Sequence, residues 1–143
     1  MKILAATDGS ELSLKGIREA ATIASMINGQ ISIIYVEDPV PHPSDKGYYF
    51  SEDSLEQYEA RRKEERENIL GEVKKIFQDK DLPFNTVLKK GKPADTIIQV
   101  AAEEGYDLIV MGSRGLGGID KLFLGSVSNA VANQSEVSVL IVR

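Results

Sequence analysis

Short apolar runs alternate along the chain with longer segments whose apolar residues recur every three or four positions. The short runs, which we interpret as strands, lie at 2–7, 31–36, 84–89, 107–111 and 137–142. Helical spacing covers 12–27, 52–79, a segment opened by Pro93, and 126–134. This alternation predicts an α/β fold in which parallel strands are joined by helices.

The run ISIIYV at 31–36 is apolar on both faces, which is typical of a parallel strand covered by helices on both sides. Crossovers between parallel strands are right-handed and place helices on both faces of the sheet. The sequence therefore predicts a doubly wound open sheet of five mainly parallel strands in the order 3-2-1-4-5. We expect one domain, 1–143, with the proline-rich stretch 38–50 as an inserted loop.

Composition removes several kinds of chemistry. The chain has no cysteine, which excludes disulfides and thiol nucleophiles, and its single histidine, His42, excludes a zinc site built on several imidazoles. A net charge of −5 argues against a broad surface for nucleic acid or anionic lipid, and the charged stretch 59–67 mixes both signs as a solvated helix face does. No apolar run has the length that a bilayer needs. We expect a cytoplasmic protein that binds neither nucleic acid nor membrane.

In open α/β sheets, ligands bind beyond the carboxyl ends of the strands, where the strand order reverses. The first and fourth strands flank that point here, so the turns after them, at Asp8 and after Met111, form the expected site. Residues 112–126 hold five of the twelve glycines. Absent side chains let backbone N–H groups approach a ligand, and the helix opening at Gly125-Ser126 offers further N–H groups to a phosphate. Arg114 and Lys121 add positive charge.

The same residues allow a plainer interpretation, in which 112–126 is a flexible surface loop whose glycines only serve turns. Known motifs do not decide between the two. The P-loop pattern is absent, and Asp120 stands where the third glycine of Gly-x-Gly-x-x-Gly would follow Gly115 and Gly117. Asp8 is equally ambiguous, because Asp-Gly-Ser is ordinary turn chemistry.

The spacing Gly112-x2-Gly115-x9-Gly125-Ser126 resembles the nucleotide-binding motif of the universal stress protein family, in its ATP-binding branch. The flanks agree, with ILAATDGS at the start of the chain and DLIVMGSRGLGG and LFLGSVS near its end. The similarity covers almost the whole chain and is weakest at 38–80. It implies an adenine nucleotide as ligand (ATP, or AMP or ADP) and a homodimer formed through the last strand, 137–142.

The resemblance also assigns roles to individual positions. Asp8 resembles the family's acidic residue beside the ribose and phosphates, where it would help to hold Mg²⁺ through the phosphates. Val36 resembles the position whose backbone meets the adenine edge. The positions that surround the ribose and phosphates are matched by Met111, Gly112, Gly115, Gly125, Ser126 and Val127. Ala6, Thr7 and Arg114 complete the expected nucleotide-binding set, with Arg114 either over the phosphates or in solvent.

Two departures from the family's pattern bear on these expectations. Ala6 stands where many relatives have proline before the aspartate, which removes no polar contact. Residues 133–138 replace the family's His-Ala-x-Cys-Pro-Val ending, which affects how the last strand is entered and therefore how a dimer forms. Ser126 is expected as the N-cap of the last helix, a role compatible with contact to a phosphate.

Three hypotheses about function follow. The preferred one is a binding module, a stress-response protein whose dimer changes the surface it offers when nucleotide binds, because no catalytic base or water-orienting residue can be named. The alternatives are an enzyme that slowly hydrolyses ATP or transfers a phosphate with a partner's help, and a structural dimer with an empty cleft. His42 has no paired acid or nucleophile, and Tyr48, Tyr49 and Phe50 are expected to pack on a neighbouring helix rather than cover the site.

Overall fold

A computed structural model describes residues 1–39, 52–115 and 124–143. Its strands are Lys2–Ala6 (β1), Gln30–Glu37 (β2), Asn85–Lys90 (β3), Leu108–Gly112 (β4) and Ser138–Val142 (β5). Its helices are Glu11–Ile27 (α1), Glu52–Gln78 (α2), Pro93–Glu103 (α3) and Ser126–Gln134 (α4). The predicted bounds differ from these by one residue at most. His42, Tyr48, Tyr49, Phe50, Gly117, Asp120 and Lys121 lie outside the described residues.

The five strands form one sheet in the order β3-β2-β1-β4-β5, as predicted, and every neighbouring pair is parallel. Strand β1 lies at the centre, where Ile3 is in register with Ile31 of β2 and with Leu108 of β4. The chain therefore moves outward from β1 to β3 and then returns to the other side of β1. This reversal places the carboxyl ends of β1 and β4 beside each other.

Two apolar layers enclose the sheet. Helices α1 and α2 cover one face through Ile17, Val73 and Phe77, whereas α3 and α4 cover the other through Ile97 and Val131. The alternation of strand residues supplies both layers, since successive side chains of a strand point to opposite faces. Three residues of the predicted helical stripes are exceptions: Ile27 is 45% exposed, Leu55 is 36% exposed, and Ala102 of α3 is also exposed.

Local chemistry explains where the helices begin and end. Ser10 caps α1, because its side chain accepts a hydrogen bond from the backbone N–H of Ser13 at 3.3 Å. The residue in the left-handed conformation at the end of α1 is Asn28 (φ 50°), and the N–H of Gly29, which follows it, donates to the carbonyl of Ala24. Pro93 begins α3, as predicted. Among the described residues, no helix combines the length and apolar character needed to cross a membrane.

Candidate functional site

A cavity of about 330 Å³ opens at the carboxyl ends of β1, β2 and β4. All eleven residues that the sequence assigns to a nucleotide site line it: Ala6, Thr7, Asp8, Val36, Met111, Gly112, Arg114, Gly115, Gly125, Ser126 and Val127. The fold thus brings together positions that are more than a hundred residues apart in the chain. Five lining residues were missed: Ser13, Ile34, Pro93, Ile97 and Ser128.

The turn between β1 and α1 forms one wall of the cavity. Asp8 Oδ1 accepts the N–H of Ser10 at 3.0 Å, so the aspartate does serve the turn, as the plainer interpretation proposed. The same carboxylate lines the cavity, so the turn role does not compete with contact to a ligand. The N–H of Thr7 donates to the carbonyl of Ile34 at 3.1 Å, which ties this turn to β2.

Buried hydroxyl groups hold this wall in place. The Ser13 hydroxyl donates to the carbonyl of Ser10 at 2.9 Å, so Thr7 must donate to Ser13 Oγ in the 2.9 Å contact between the two hydroxyls. Thr7 Oγ1 in turn accepts the N–H of Gly9 at 3.1 Å. Ser13 was missed because only apolar positions define the helical stripe; the spacing Ser10-x-x-Ser13 at a helix start was the available signal.

The segment that follows β4 forms the opposite wall, and glycines let it approach α1 and Asp8. A side chain on Gly112 would place its Cβ 2.6 Å from the carbonyl carbon of Leu12, which is backbone and cannot give way. A methyl group on Gly115 would overlap the Asp8 carboxylate. These two glycines therefore serve close packing across the cavity, which the loop interpretation of 112–126 did not require.

The start of α4 closes the cavity at one end. The N-cap is Gly125, whereas Ser126, expected to be the N-cap, is the first residue of the helix. No side chain caps the helix, and the N–H groups of Ser126, Val127 and Ser128 have no acceptor among the described residues. Because Ser126 and Val127 line the cavity, these N–H groups and the positive end of the helix dipole are available to an anion there.

Charge and polarity divide the cavity into two ends. Asp8 and Arg114 are the charged side chains that line it in the described part of the chain, and Arg114 is half-buried without a carboxylate partner in that part. The other end is apolar and is formed by Ile34, Val36, Pro93, Ile97 and Met111. Within the described ranges, no group of three or more histidine, aspartate or glutamate side chains could hold a metal ion.

A cluster of charged and aromatic side chains packs behind the end of β2, on the sheet face opposite Val36. Arg66 of α2 donates to Glu37 Oε1 at 2.6 Å, and only 11% of the Glu37 side chain is exposed. Burial raises the pKa of Tyr35 above its usual value, and the nearby Arg62 guanidinium partly offsets this rise. A hydrogen bond from Arg62 to the Tyr58 hydroxyl raises the pKa of Arg62. This cluster fixes α2 against the strand that supplies Val36.

The chain is similar to known proteins over its whole length. A model of the universal stress protein family matches residues 1–143. Universal stress protein YxiE of Bacillus subtilis is 37% identical over 145 residues, which cover 99% of this chain and 98% of that protein.

Two solved structures share the fold. The universal stress protein UspA from Lactobacillus plantarum has a TM-score of 0.79 at 21% identity, and the match covers 100% of this chain and 97% of that one. A universal stress protein crystallised in complex with cAMP has a TM-score of 0.70 at 28% identity, with coverage of 100% and 96%.

Proposed function

This chain belongs to the universal stress protein family, and from that premise we propose that it is a nucleotide-binding regulatory protein whose ligand is an adenine nucleotide, ATP in the first instance. The observation that carries the proposal is the uncapped start of α4 at one end of a cavity whose other end is apolar. The structure of a relative in complex with cAMP supports the same class of ligand.

The two ends of the cavity match the two ends of such a ligand. The apolar end suits a flat base, with Val36 at the edge of the base, as the family resemblance implies. The first N–H groups of α4, which have no acceptor among the described residues, suit the phosphates together with Arg114, since a helix start favours negative charge. A volume of about 330 Å³ lies within the range of about 300–1,000 Å³ that small-molecule sites occupy.

Mg²⁺ enters the proposal through the phosphates and Asp8. Mg²⁺ is usually held in proteins by one or two carboxylates together with substrate phosphates. Asp8 is the acidic side chain that lines the cavity in the described residues, so it fits the role of a single carboxylate ligand. We expect Asp8→Asn, which keeps the oxygen that accepts the Ser10 N–H, to make ATP binding insensitive to Mg²⁺.

A dimer through β5 completes the proposal. Strands β3 and β5 are the two edges of the sheet. The β3 edge ends in Lys89 and Lys90, charges of the kind that discourage pairing with another chain. No charged residue interrupts β5, Ser138–Val142, so its open edge suits pairing with the same strand of a second copy. Nucleotide bound between β1 and β4 would lie next to that edge.

Isothermal titration calorimetry with ATP and Mg²⁺ tests the proposed binding. Mass spectrometry of the denatured protein first establishes which small molecule accompanies it from purification. We expect binding in the wild type and in Gly71→Ala, a control in α2 with nothing within 4 Å of the added methyl. Absence of binding at millimolar ATP, in protein shown to be free of ligand, would contradict the proposal.

Incubation with labelled ATP separates a binding protein from an enzyme. A binding module would release no phosphate above the buffer rate, since the described cavity lining offers no histidine and its one carboxylate, Asp8, is assigned to Mg²⁺. Turnover that disappears in Asp8→Ala would instead assign the chain to the ATP-hydrolysing alternative.

A further inference from the structure

Ser128 of α4 lines the cavity, but its hydroxyl contacts two backbone carbonyls of the protein. The side chain is 2% exposed, and Oγ lies 2.6 Å from the carbonyl oxygen of Ser113 and 3.1 Å from that of Gly125. A serine hydroxyl has one proton, and both neighbours are acceptors, so that proton is engaged by the protein. Ser128 therefore has no hydrogen-bond donor left for a phosphate oxygen.

The carbonyl of Ser113 joins β4 to the start of α4. It accepts the Gly125 N–H at 2.7 Å in addition to the Ser128 hydroxyl, so two groups of the helix start are held by one oxygen. Ser113 is itself fixed, because it is 5% exposed and its N–H donates to the carbonyl of Val142 at 2.8 Å. The start of α4 is thus attached to the rigid sheet by two hydrogen bonds.

This attachment replaces the usual N-cap. A serine, threonine, aspartate or asparagine at the N-cap would satisfy one of the first N–H groups of the helix and would remove it from the cavity. Gly125 cannot do so because it has no side chain. It also lies close to Arg114, since an added Cβ would be 3.2 Å from the Arg114 Cα. The Ser128 hydroxyl stabilises the helix start from inside while the N–H groups stay available.

From these contacts we propose that Ser128 is a positioning residue, which holds the first N–H groups of α4 toward the phosphates of the ligand. Ser126 is exposed, lines the cavity and has no hydrogen-bond partner in the described part of the chain. The inference rests on the proposed nucleotide site and gives Ser128 a role separate from that of Ser126, which the family resemblance already places among the phosphate positions. It also predicts that Ser128 matters only to the phosphate-bearing part of the ligand.

Calorimetry with two ligands tests the proposed role. We expect Ser128→Ala to weaken ATP binding about tenfold, which corresponds to about 1.4 kcal/mol, and to change adenosine binding less than twofold. Ser128→Thr, which keeps the hydroxyl, should bind ATP more tightly than Ser128→Ala. Unchanged ATP affinity in Ser128→Ala, or equal losses for ATP and adenosine, would overturn the inference while leaving the proposed nucleotide binding in place.

Hydrogen exchange in the ligand-free protein tests the same inference without any nucleotide. The Gly125 N–H should exchange about tenfold faster in Ser128→Ala than in the wild type, because the helix start loses one of its two attachments. The Thr7 N–H, bonded to the carbonyl of Ile34, serves as the internal reference, and Ser126→Ala as the control variant. Unchanged exchange at Gly125 in Ser128→Ala would refute the positioning role even if the wild type bound no nucleotide.

Discussion

At the scale of single residues, Gly115 lies so close to the Asp8 carboxylate that each position limits which side chain the other can carry. We expect Gly115→Ala to displace the Asp8 carboxylate, because the new methyl group would overlap it. The carboxylate is the end of a short side chain on a surface turn, so the cost falls on ligand binding more than on folding. Calorimetry should show about a tenfold loss of ATP affinity, or about 1.4 kcal/mol.

Thermal unfolding of Gly115→Ala without ligand is the accompanying control. The melting temperature should stay close to that of the wild type, since Gly115 is exposed and does not have a positive φ. Wild-type affinity for ATP in this variant would mean that the contact between Gly115 and Asp8 is not part of the binding site.

Sequence reasoning found these residues because their chemistry is visible in the chain itself. Glycines at fixed spacing, an aspartate after a strand and a serine at a helix start are local signals. It assigned the N-cap to Ser126 instead of Gly125, because serine is usually the better cap and the conformation of the preceding residue is not encoded in residue type alone. Ser13 had the local spacing to Ser10 as a signal, whereas Ser128 carries none, since its role depends on the Ser113 carbonyl that the fold brings near.

At the scale of an element, two glycines inside helices show how a packing contact changes the effect of replacing glycine by alanine. Gly16 in α1 faces β4, where an added Cβ would lie 3.1 Å from the backbone nitrogen of Gly112. Gly71 in α2 has no neighbour within 4 Å of an added Cβ. Alanine is the better helix former by about 1 kcal/mol at either position. At Gly16 we expect the contact with β4 to outweigh this gain, so that alanine lowers the free energy of unfolding there.

Urea denaturation compares the two substitutions. Gly71→Ala should raise the free energy of unfolding by about 0.5–1 kcal/mol. Gly16→Ala should lower it by about 1–2 kcal/mol, because the strand backbone must move to admit the methyl group. Equal stabilisation by both substitutions would show that α1 can shift away from β4 without cost.

The ion pair between Arg66 and Glu37 attaches α2 to the end of β2. We expect Arg66→Ala to lower the free energy of unfolding by about 1–2 kcal/mol, because it leaves a nearly buried carboxylate without its charged partner. Glu37→Gln in the Arg66→Ala background should recover part of this loss. Lys63→Ala is the matched control: it breaks the exposed pair with Glu67 and should change stability by less than about 0.5 kcal/mol.

Chemical denaturation of the two single variants and the double variant measures the coupling between Arg66 and Glu37. Effects that simply add would mean that the pair contributes no interaction of its own. The prediction that the whole charged stretch 59–67 is a solvated face is right for Lys63 and Glu67 but wrong for Arg66. Residue type alone does not show which charge of a mixed stretch faces another element.

At the scale of the whole molecule, the two edges of the sheet differ in how they would pair with a second copy of the chain. In β5 the carbonyl of Val142 faces β4, so by alternation the N–H groups of Val139 and Ile141 face the open edge. Val139→Pro removes one of these outward N–H groups without removing a bond to β4. We expect this variant to be a monomer, because the proposed dimer pairs through that edge.

Sedimentation measures the mass of the particle. The wild type should have twice the 15.7 kDa of one chain, and Val139→Pro should have the mass of a single chain. Leu88→Pro is the control on the other edge: the N–H of Gly91 donates to Glu37 of β2, so by alternation the backbone N–H of Leu88 is directed to the open edge. A shift to monomer in Leu88→Pro alone would place the interface on β3.

The sequence by itself determined the elements, their order and the edge of the sheet at which the cavity lies. Apolar periodicity and turn residues act within a few positions of the chain, and the right-handed crossover leaves little choice in how five parallel strands are arranged. That is why the eleven residues predicted from the sequence all line one cavity.

Only the tertiary structure decided which groups meet between distant segments. The contact of Gly16 with Gly112, the pairing of Arg66 with Glu37 and the attachment of Ser128 to Ser113 all join parts of the chain that no local pattern relates. Their physical reason is close packing. Once helices lie on the sheet, the backbones approach so closely that small differences in distance decide which side chains fit between them and which hydrogen bonds can form.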